Sequence, residues 1–126
     1  MKKMFSWLKE IKKIRDSNKS VREVQYLLDT NELKGYEVEL LSRSLEKVKN
    51  LDELEQLKIA VLSDHSSQPI SNALKVACFC ENYNASILET PISSFQQEIL
   101  NLESNLYKFK PDIIFLDISF RSIENL

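Results

Sequence analysis

Glycine is almost missing from this chain, since Gly35 is the only one among 126 residues. Loops that cradle phosphate groups, such as the P-loop and the G-x-G-x-x-G turn, need several glycines because the backbone must approach the phosphate closely. Neither motif can form here. The sequence therefore argues against nucleotide binding of the P-loop or dinucleotide kind.

Side chains that bind metals are also few. The chain has one histidine, His65, and two cysteines, Cys78 and Cys80, two residues apart in one predicted helix. Side chains at that spacing project in different directions, which disfavours a disulfide between them or a metal site that uses both. We expect two buried free thiols in a reducing compartment, no metal site and no cofactor.

Long hydrophobic runs are absent as well. No stretch of about 18 consecutive apolar residues is present, so no transmembrane helix is predicted. Charged residues interrupt the amino-terminal apolar residues too early for the core of a secretory signal peptide. Together with the cysteine usage, these absences predict a cytoplasmic protein.

Charge is divided unevenly along the chain, although the net charge is only −2. Residues 1–22 carry eight basic and two acidic side chains, whereas residues 23–126 carry nine basic and seventeen acidic ones. The acidic larger part argues against nucleic-acid binding. The basic first part either packs on the chain's own helices or contacts an acidic partner or an anionic membrane surface, and its candidate binding residues are Lys3, Trp7, Lys12 and Lys13.

Helical periodicity dominates residues 1–56, which we expect to form a helical amino-terminal region. Three helices are predicted there: an amphipathic helix over residues 2–16, a second helix from a Ser20–Glu23 capping box to about Leu28, and a third over about Tyr36–Lys49. The third helix presents an apolar face that includes Leu41, Leu45 and Val48.

The periodicity changes in residues 57–126. Buried strands are predicted at Leu57–Leu62, Ala85–Leu88 and Ile113–Leu116, with one helix beginning near Pro69 and another over Phe95–Phe109. Right-handed crossovers in a β-α-β-α-β chain produce three parallel strands in the order 2-1-3. The predicted fold class is therefore α/β: a helical amino-terminal leader followed by a partial three-stranded parallel Rossmann-like sheet.

The outer edge of the third predicted strand has no partner in this scheme. An uncovered Ile-Ile-Phe-Leu edge invites pairing with another strand. Only nine residues follow Asp117, so we expect another polypeptide to complete the sheet, or self-association through the edge of residues 113–117.

Ionisable side chains follow two of the predicted strands. In parallel sheets, ligands and chemistry lie just beyond the carboxyl ends of the strands. Ser63, Asp64, His65 and Ser66 follow the first strand and are candidate catalytic residues for acid–base chemistry, and Asp117 ends the third strand as a candidate phospho-acceptor. The structural alternative is that a serine caps the next helix while Asp64 binds turn amides.

Part of this pattern resembles a known family. The run Ser104 to Asp112 reads Ser-Asn-Leu-Tyr-Lys-Phe-Lys-Pro-Asp and is similar to the phrase Ser-x-Leu-Tyr-x-Phe-x-Pro-Asp of FkbH-like proteins. Leu57–Ser63 and Pro69–Ala77 resemble the same amino-terminal region. FkbH-like proteins are the subfamily IIIC relatives of the haloacid-dehalogenase (HAD) phosphatase superfamily, found in polyketide and cell-surface glycan pathways. The likeness covers about half of the chain.

The resemblance implies a role beside a catalytic domain. FkbH-like proteins act through an aspartate-rich phosphoryl-transfer motif in a HAD domain that follows this region, and members are associated with loading a glyceryl unit onto an acyl carrier protein. The chain itself has no Asp-x-Asp-x-Thr motif. We therefore interpret it as a non-catalytic module that docks on a HAD-domain polypeptide or an acyl carrier protein.

Two other interpretations stay open. The amino-terminal region of this family resembles SGNH/GDSL hydrolases, and the run Ser63-Asp64-His65 aligns with their serine-bearing turn, with histidine in the place of the nucleophile. Their Asp-x-x-His is absent, so residues 57–126, as a flavodoxin- or SGNH-like module, would need another chain to complete a hydrolase or acyltransferase site. Lys110–Asp117 also resembles the strand that carries the phosphorylated aspartate of response-regulator receivers, which predicts a phospho-switch at Asp117.

Overall fold

A computed structural model describes residues 9, 13, 19–92 and 94–119. Lys9 and Lys13 are helical and exposed. The rest of the helix predicted over residues 2–16 lies outside the described residues, and so do the candidate residues Lys3, Trp7 and Lys12.

The described elements follow the predicted order of helices first and alternating strands and helices afterwards. In chain order they are α1 (Val21–Thr30), α2 (Gly35–Ser44), two 3₁₀ turns (Leu45–Lys47 and Leu51–Glu53), β1 (Glu55–Ser63), α3 (Gln68–Cys80), β2 (Tyr83–Glu89), α4 (Phe95–Leu100), α5 (Asn105–Phe109) and β3 (Ile113–Asp117). The three strands form one parallel sheet in the order β2-β1-β3. The α/β fold class and the strand order are confirmed.

The start of α1 is set by Ser20. This residue has extended backbone, and its hydroxyl accepts a hydrogen bond from the backbone N–H of Glu23. The same hydroxyl donates to the Glu23 carboxylate at 3.2 Å. Satisfying an amide that has no partner inside the helix stabilises a helix start by about 1 kcal/mol.

The segment predicted as one helix over Phe95–Phe109 is two short helices, so that prediction was wrong. The chain leaves α4 at Asn101, whose side-chain oxygen accepts from the backbone N–H of Glu103 at 3.0 Å. Ser104 precedes α5, and its hydroxyl donates to the Glu98 carbonyl at 2.6 Å. Asparagine and serine offer the backbone such alternatives to helix hydrogen bonds. Leu102, which lies between the two helices, is exposed.

One compact unit consists of the described residues up to Glu55 together with Asn72–Asn84. Its core contains eight buried side chains: Val21, Val24, Leu41, Leu45, Val48, Leu54, Val76 and Phe79. The predicted apolar face of the third helix is thus buried, although α2 ends at Ser44 and a 3₁₀ turn continues it. Full burial of an aliphatic side chain contributes about 1.5–3 kcal/mol.

A second compact unit consists of Gln56–Ser71 and the described residues from Ala85 onward. Its central strand is β1, in which Ile59 to Leu62 are almost completely buried, as expected for a parallel strand covered on both faces. Leu106 of α5 packs with Ala60 and Leu62. The domain division predicted at residue 56 stays a prediction.

The third strand was predicted to be buried, and this is wrong. Four consecutive apolar side chains of β3 reach solvent: Ile113 is 48% exposed, Ile114 54%, Phe115 39% and Leu116 55%. A run of large apolar residues without polar alternation is typical of a buried parallel strand. Here the described residues cover the side chains on both faces of that strand only in part.

The core of the first unit supports a direct stability prediction. Leu41→Ala should lower the free energy of unfolding by about 2–5 kcal/mol, because it leaves a cavity at a fully buried position. Urea denaturation followed by circular dichroism measures this loss.

The neighbouring Leu40, 37% exposed on the same helix, supplies the matched control. Leu40→Ala should cost less than about 1 kcal/mol, since surface substitutions usually have small effects. Equal losses for the two variants would show that α2 does not bury the face described here.

Candidate functional site

The polar turn after β1 is organised by a buried serine. Ser63 is 2% exposed; its hydroxyl donates to the backbone carbonyl of His65 at 2.9 Å and accepts from the His65 backbone N–H at 3.2 Å. Ser66 is exposed. The Ser67 backbone carbonyl accepts a hydrogen bond from the Ser71 backbone N–H. The Ser67 hydroxyl donates to the Glu89 carboxylate at 3.1 Å.

The parallel pairing of β1 with β3 places two predicted candidate groups together. Ser63 is paired in register with Asp117, so the turn after β1 lies beside the carboxylate that ends β3. His65 Nδ1 lies 2.8 Å from Asp64 Oδ1, and His65 Nε2 lies 2.9 Å from Asp117 Oδ2. The imidazole therefore lies between two carboxylates, hydrogen-bonded to Asp64 and at ion-pair distance from Asp117.

Asp64 also holds the chain just after β3. Its carboxylate accepts from the backbone N–H of Ser119, at 3.0 Å to Oδ1 and 2.9 Å to Oδ2, and from the Ser119 hydroxyl. We call Asp64, His65, Asp117 and Ser119 the carboxyl-edge cluster. Sequence analysis missed Ser119, although its position two residues beyond Asp117 at the end of a parallel strand was the available signal.

The two carboxylates raise the pKa of His65 above its ordinary value of 6.5. The hydrogen bond to Asp64 is the main cause, partial desolvation opposes it, and the negative charge of Asp117 adds to the increase. A protonated imidazole can donate from both ring nitrogens, whereas the neutral ring donates from only one. The cluster therefore favours the imidazolium.

This arrangement does not pair the imidazole with a serine hydroxyl in the described residues. A general base must lie within about 2.6–3.2 Å of the hydroxyl that it deprotonates. Both ring nitrogens of His65 face carboxylates, and the Ser63 hydroxyl is bonded to the His65 backbone. In the described part of the chain, no serine hydroxyl is hydrogen-bonded to the imidazole.

Metal and thiol chemistry also find little support in the described residues. Among them, no group of three or more histidine, cysteine, aspartate or glutamate side chains is arranged to hold a metal ion. Cys78 and Cys80 were predicted to be buried, but both are only half-buried. Partial burial raises the pKa of both thiols, and the charges of Asp29 and Glu81 add to the increase at Cys80. These groups therefore favour the neutral thiol over the nucleophilic thiolate.

The first unit contains a shallow polar cleft of about 640 Å³. Its lining includes Ser20, Arg22, Gln25, Asn50, Glu53 and Asn82. The Gln25 amide is already used within the unit, donating to the Phe79 carbonyl at 2.8 Å and to the Asn82 side chain at 3.0 Å. The lining mixes one guanidinium with one carboxylate and does not favour one class of ligand.

The second candidate feature is the apolar surface of β3. We define the β3 surface as the exposed side chains of Ile113, Ile114, Phe115 and Leu116 together with the outer edge of the strand. β3 is the last strand in the order β2-β1-β3, so within the described residues that edge has no neighbouring strand. Exposed apolar patches of this kind mark interaction sites or aggregation-prone edges.

Polar contacts hold β3 at both ends. At its start, the Lys58 backbone N–H donates to the Asp112 carboxylate and the Asp112 backbone N–H donates to the Lys58 carbonyl, each at 2.8 Å. The Lys58 ammonium also donates to the Phe109 carbonyl at 3.4 Å and lies 5.6 Å from the centre of the Phe109 ring. At its end, the carboxyl-edge cluster provides the second attachment.

Lys13 is the one candidate of the basic amino-terminal segment within the described residues, where it is helical and exposed. None of the helices in the described ranges is long and apolar enough to cross a membrane. The choice between internal packing, an acidic partner and a membrane surface stays a prediction for this segment.

Comparison with known proteins yields a fold relationship. No protein-family model and no curated protein sequence matches the chain. Among solved structures, it is similar to the N-terminal part of the protein BF1531 from Bacteroides fragilis, which contains a phosphatase domain and was crystallised as a complex with Mg. The TM-score is 0.62 at 22% identity, over 75% of this chain and 24% of that chain. The chain thus spans about a quarter of the solved neighbour, and the likeness shows the fold alone.

The carboxyl-edge cluster leads to a prediction about protonation. The pKa of His65 should lie above 6.5 in the folded protein and fall in Asp64→Asn, because that substitution removes the main interaction that favours the charged ring. NMR titration measures it directly, since His65 is the only histidine. Because the folded pKa is raised, the stabilising contribution is complete below pH 6.5 and is lost as the pH rises through the folded pKa.

Asp112→Asn is the matched control for this titration. Asp112 lies before the opposite end of β3, about 16 Å from Asp117 at the rise of a strand. The Asp112→Asn substitution should leave the pKa of His65 unchanged. An unperturbed pKa in the wild-type protein would show that the two carboxylates do not hold the imidazole in solution.

Proposed function

We propose that this chain is a non-catalytic module of an FkbH-like (HAD subfamily IIIC) protein of the cytoplasm. It docks through the β3 surface on a HAD-type phosphatase domain, in polyketide or surface-glycan biosynthesis. The observation that carries the proposal is the run of four half-exposed apolar side chains on β3. An acyl carrier protein is the other partner implied by the resemblance, and self-association through the same edge would use the same surface.

The energetic argument concerns the cost of leaving this surface in water. Burying a fully exposed aliphatic or aromatic side chain contributes about 1.5–3 kcal/mol, so each half-exposed β3 side chain would contribute about 1 kcal/mol on docking. Single exposed apolar residues are ordinary, but four consecutive ones on an open strand edge form a contiguous patch. Such a patch fits a binding surface better than a solvated one.

The β3 surface is also ordered before a partner arrives. The Lys58–Asp112 backbone and side-chain contacts attach its start, and the contacts of Asp64 and Asp117 with His65 and Ser119 attach its end. A surface that is already ordered loses less conformational entropy on binding. This supports docking as the role of the strand.

Sequence and fold similarity supply the proposed partner. The phrase Ser104–Asp112, which resembles FkbH-like proteins, directly precedes β3. The similar fold in BF1531 belongs to a protein that contains a phosphatase domain. Both facts support a place beside a phosphatase domain. For an acidic carrier-protein partner, the proposed contacts are the basic residues Lys3, Lys12 and Lys13 together with the aromatic Trp7.

A single substitution in the β3 surface tests docking. Phe115→Asp should weaken binding to a purified HAD-type phosphatase domain of an FkbH-like protein by about tenfold or more, because a charge would enter an apolar interface. Isothermal titration calorimetry measures the affinity and the stoichiometry, which should be one to one.

Leu100→Asp is the matched control, since Leu100 is 81% exposed but lies at the end of α4, outside the β3 surface. It should bind like the wild-type chain. The proposal would fail if the wild-type chain did not bind, or if Phe115→Asp bound with unchanged affinity.

The non-catalytic part of the proposal has its own test. The chain should neither hydrolyse nitrophenyl esters nor become phosphorylated by acetyl phosphate with Mg²⁺, because its imidazole contacts carboxylates and no serine hydroxyl among the described residues. Ester hydrolysis that disappears in His65→Ala would support the hydrolase interpretation instead. Labelling that disappears in Asp117→Asn would support the phospho-switch.

A further inference from the structure

The end of β3 is attached to the turn after β1 by side chains as well as by the sheet. Ser63 and Asp117 form the last pair of the β1–β3 ladder. Ser119 lies beyond that pair, and both its backbone N–H and its hydroxyl donate to the Asp64 carboxylate. We propose that the carboxyl-edge cluster is a pH-sensitive latch, which closes on the end of β3 when His65 is protonated and opens when His65 is neutral.

Both ring nitrogens of His65 lie beside carboxylate oxygens. Nδ1 is 2.8 Å from Asp64 Oδ1, and Nε2 is 2.9 Å from Asp117 Oδ2. An ionised carboxylate only accepts hydrogen bonds, whereas the neutral imidazole carries an N–H on one nitrogen and a lone pair on the other. In either neutral tautomer, one carboxylate therefore lies beside a lone pair. Only the protonated ring carries an N–H on both sides.

The burial of one carboxylate oxygen makes the end of β3 depend on that charge. Asp117 Oδ2 is buried, and within the described ranges no hydrogen bond reaches it. Its contact with His65 Nε2 has the distance of an ion pair but not the geometry of a hydrogen bond. A buried carboxylate oxygen without a hydrogen bond is costly unless a positive charge lies beside it. The protonated ring supplies that charge, and the neutral ring does not.

The direction of the pH dependence follows from the groups around the ring. The titratable groups that act on His65 are Asp64, in the turn after β1, and Asp117, at the end of β3. The hydrogen bond to Asp64 is the larger influence, and together the two groups raise the pKa of His65 above 6.5. The latch is therefore fully stabilised below pH 6.5, and it opens as the pH rises through the raised pKa.

Opening of the latch leaves the start of β3 in place. There the Asp112 backbone N–H donates to the Lys58 carbonyl, and the Lys58 backbone N–H donates to the Asp112 carboxylate, each at 2.8 Å. These contacts do not involve His65. Local openings that cost less free energy than global unfolding can be followed by hydrogen exchange of single amides. The strand thus has a reporter at each end, the Ser119 amide for the latch and the Asp112 amide for the rest of β3.

Hydrogen exchange of these two amides, measured by NMR across the titration of His65, tests the latch in the wild-type chain. The protection factor corrects for the intrinsic effect of pH on exchange. For Ser119 it should fall as His65 loses its proton, and for Asp112 it should stay constant. The fall should be about tenfold for each pH unit by which the measured pKa of His65 exceeds 6.5, because both quantities report the same equilibrium.

Two variants separate the charge from the contacts. In Asp117→Asn, the side-chain amide can donate to the lone pair of the neutral ring, so the Ser119 amide should keep its protection when His65 is neutral. In His65→Gln the titrating ring is gone, and the protection of Ser119 should not change over the same pH range. Circular dichroism checks that each variant folds, and the wild-type measurement decides the question if one does not.

Three results would overturn the latch. The first is a Ser119 protection factor that is constant across the titration of His65 or negligible at every pH. The second is an equal fall at Ser119 and Asp112, which would indicate a loss of global stability. The third is a fall that persists in His65→Gln, which would assign the pH dependence to another group. None of these results depends on whether the β3 surface binds a partner.

Discussion

The parallel pairing of β1 with β3 is the contact on which both functional features depend. It aligns Ser63 with Asp117, so the polar turn and the carboxylate at the end of β3 meet at one edge of the sheet. It also makes β3 the outermost strand of the described sheet. A shift of register by one residue would turn Asp117 to the opposite face, away from His65, and would exchange the faces on which the apolar side chains lie.

The residues of the carboxyl-edge cluster are of types common in catalytic sites, but here they connect the turn after β1 to the end of β3. Two carboxylates beside each other repel, and the His65 imidazole between Asp64 and Asp117, when protonated, offsets that repulsion while joining the turn after β1 to the end of β3. The same contacts occupy both nitrogens of the ring. In this arrangement the imidazole contributes to holding the two strand ends together.

Much of the architecture could be predicted because it depends on local patterns and on chain topology. The change from helical to strand periodicity near residue 56 indicated an α/β fold, and right-handed crossovers led to the order β2-β1-β3. The rule that chemistry lies beyond the carboxyl ends of parallel strands singled out Asp64, His65 and Asp117 as candidates, but their meeting was not predicted. The break between α4 and α5 was missed, since the apolar spacing continues through Asn101 and Ser104 while their side chains bind the backbone.

By itself, the amino-acid sequence determined the element order, the absence of phosphate-binding glycine loops and the identity of the polar residues at the strand ends. The tertiary structure alone decided how those residues are used: which atoms of His65 meet which carboxylate, and that Ser119 completes the cluster. It also decided that the apolar run of β3 is exposed. The physical reason is that a hydrophobic pattern indicates which side chains favour burial, whereas burial itself depends on the elements that pack against them. The described residues cover the β3 side chains only in part.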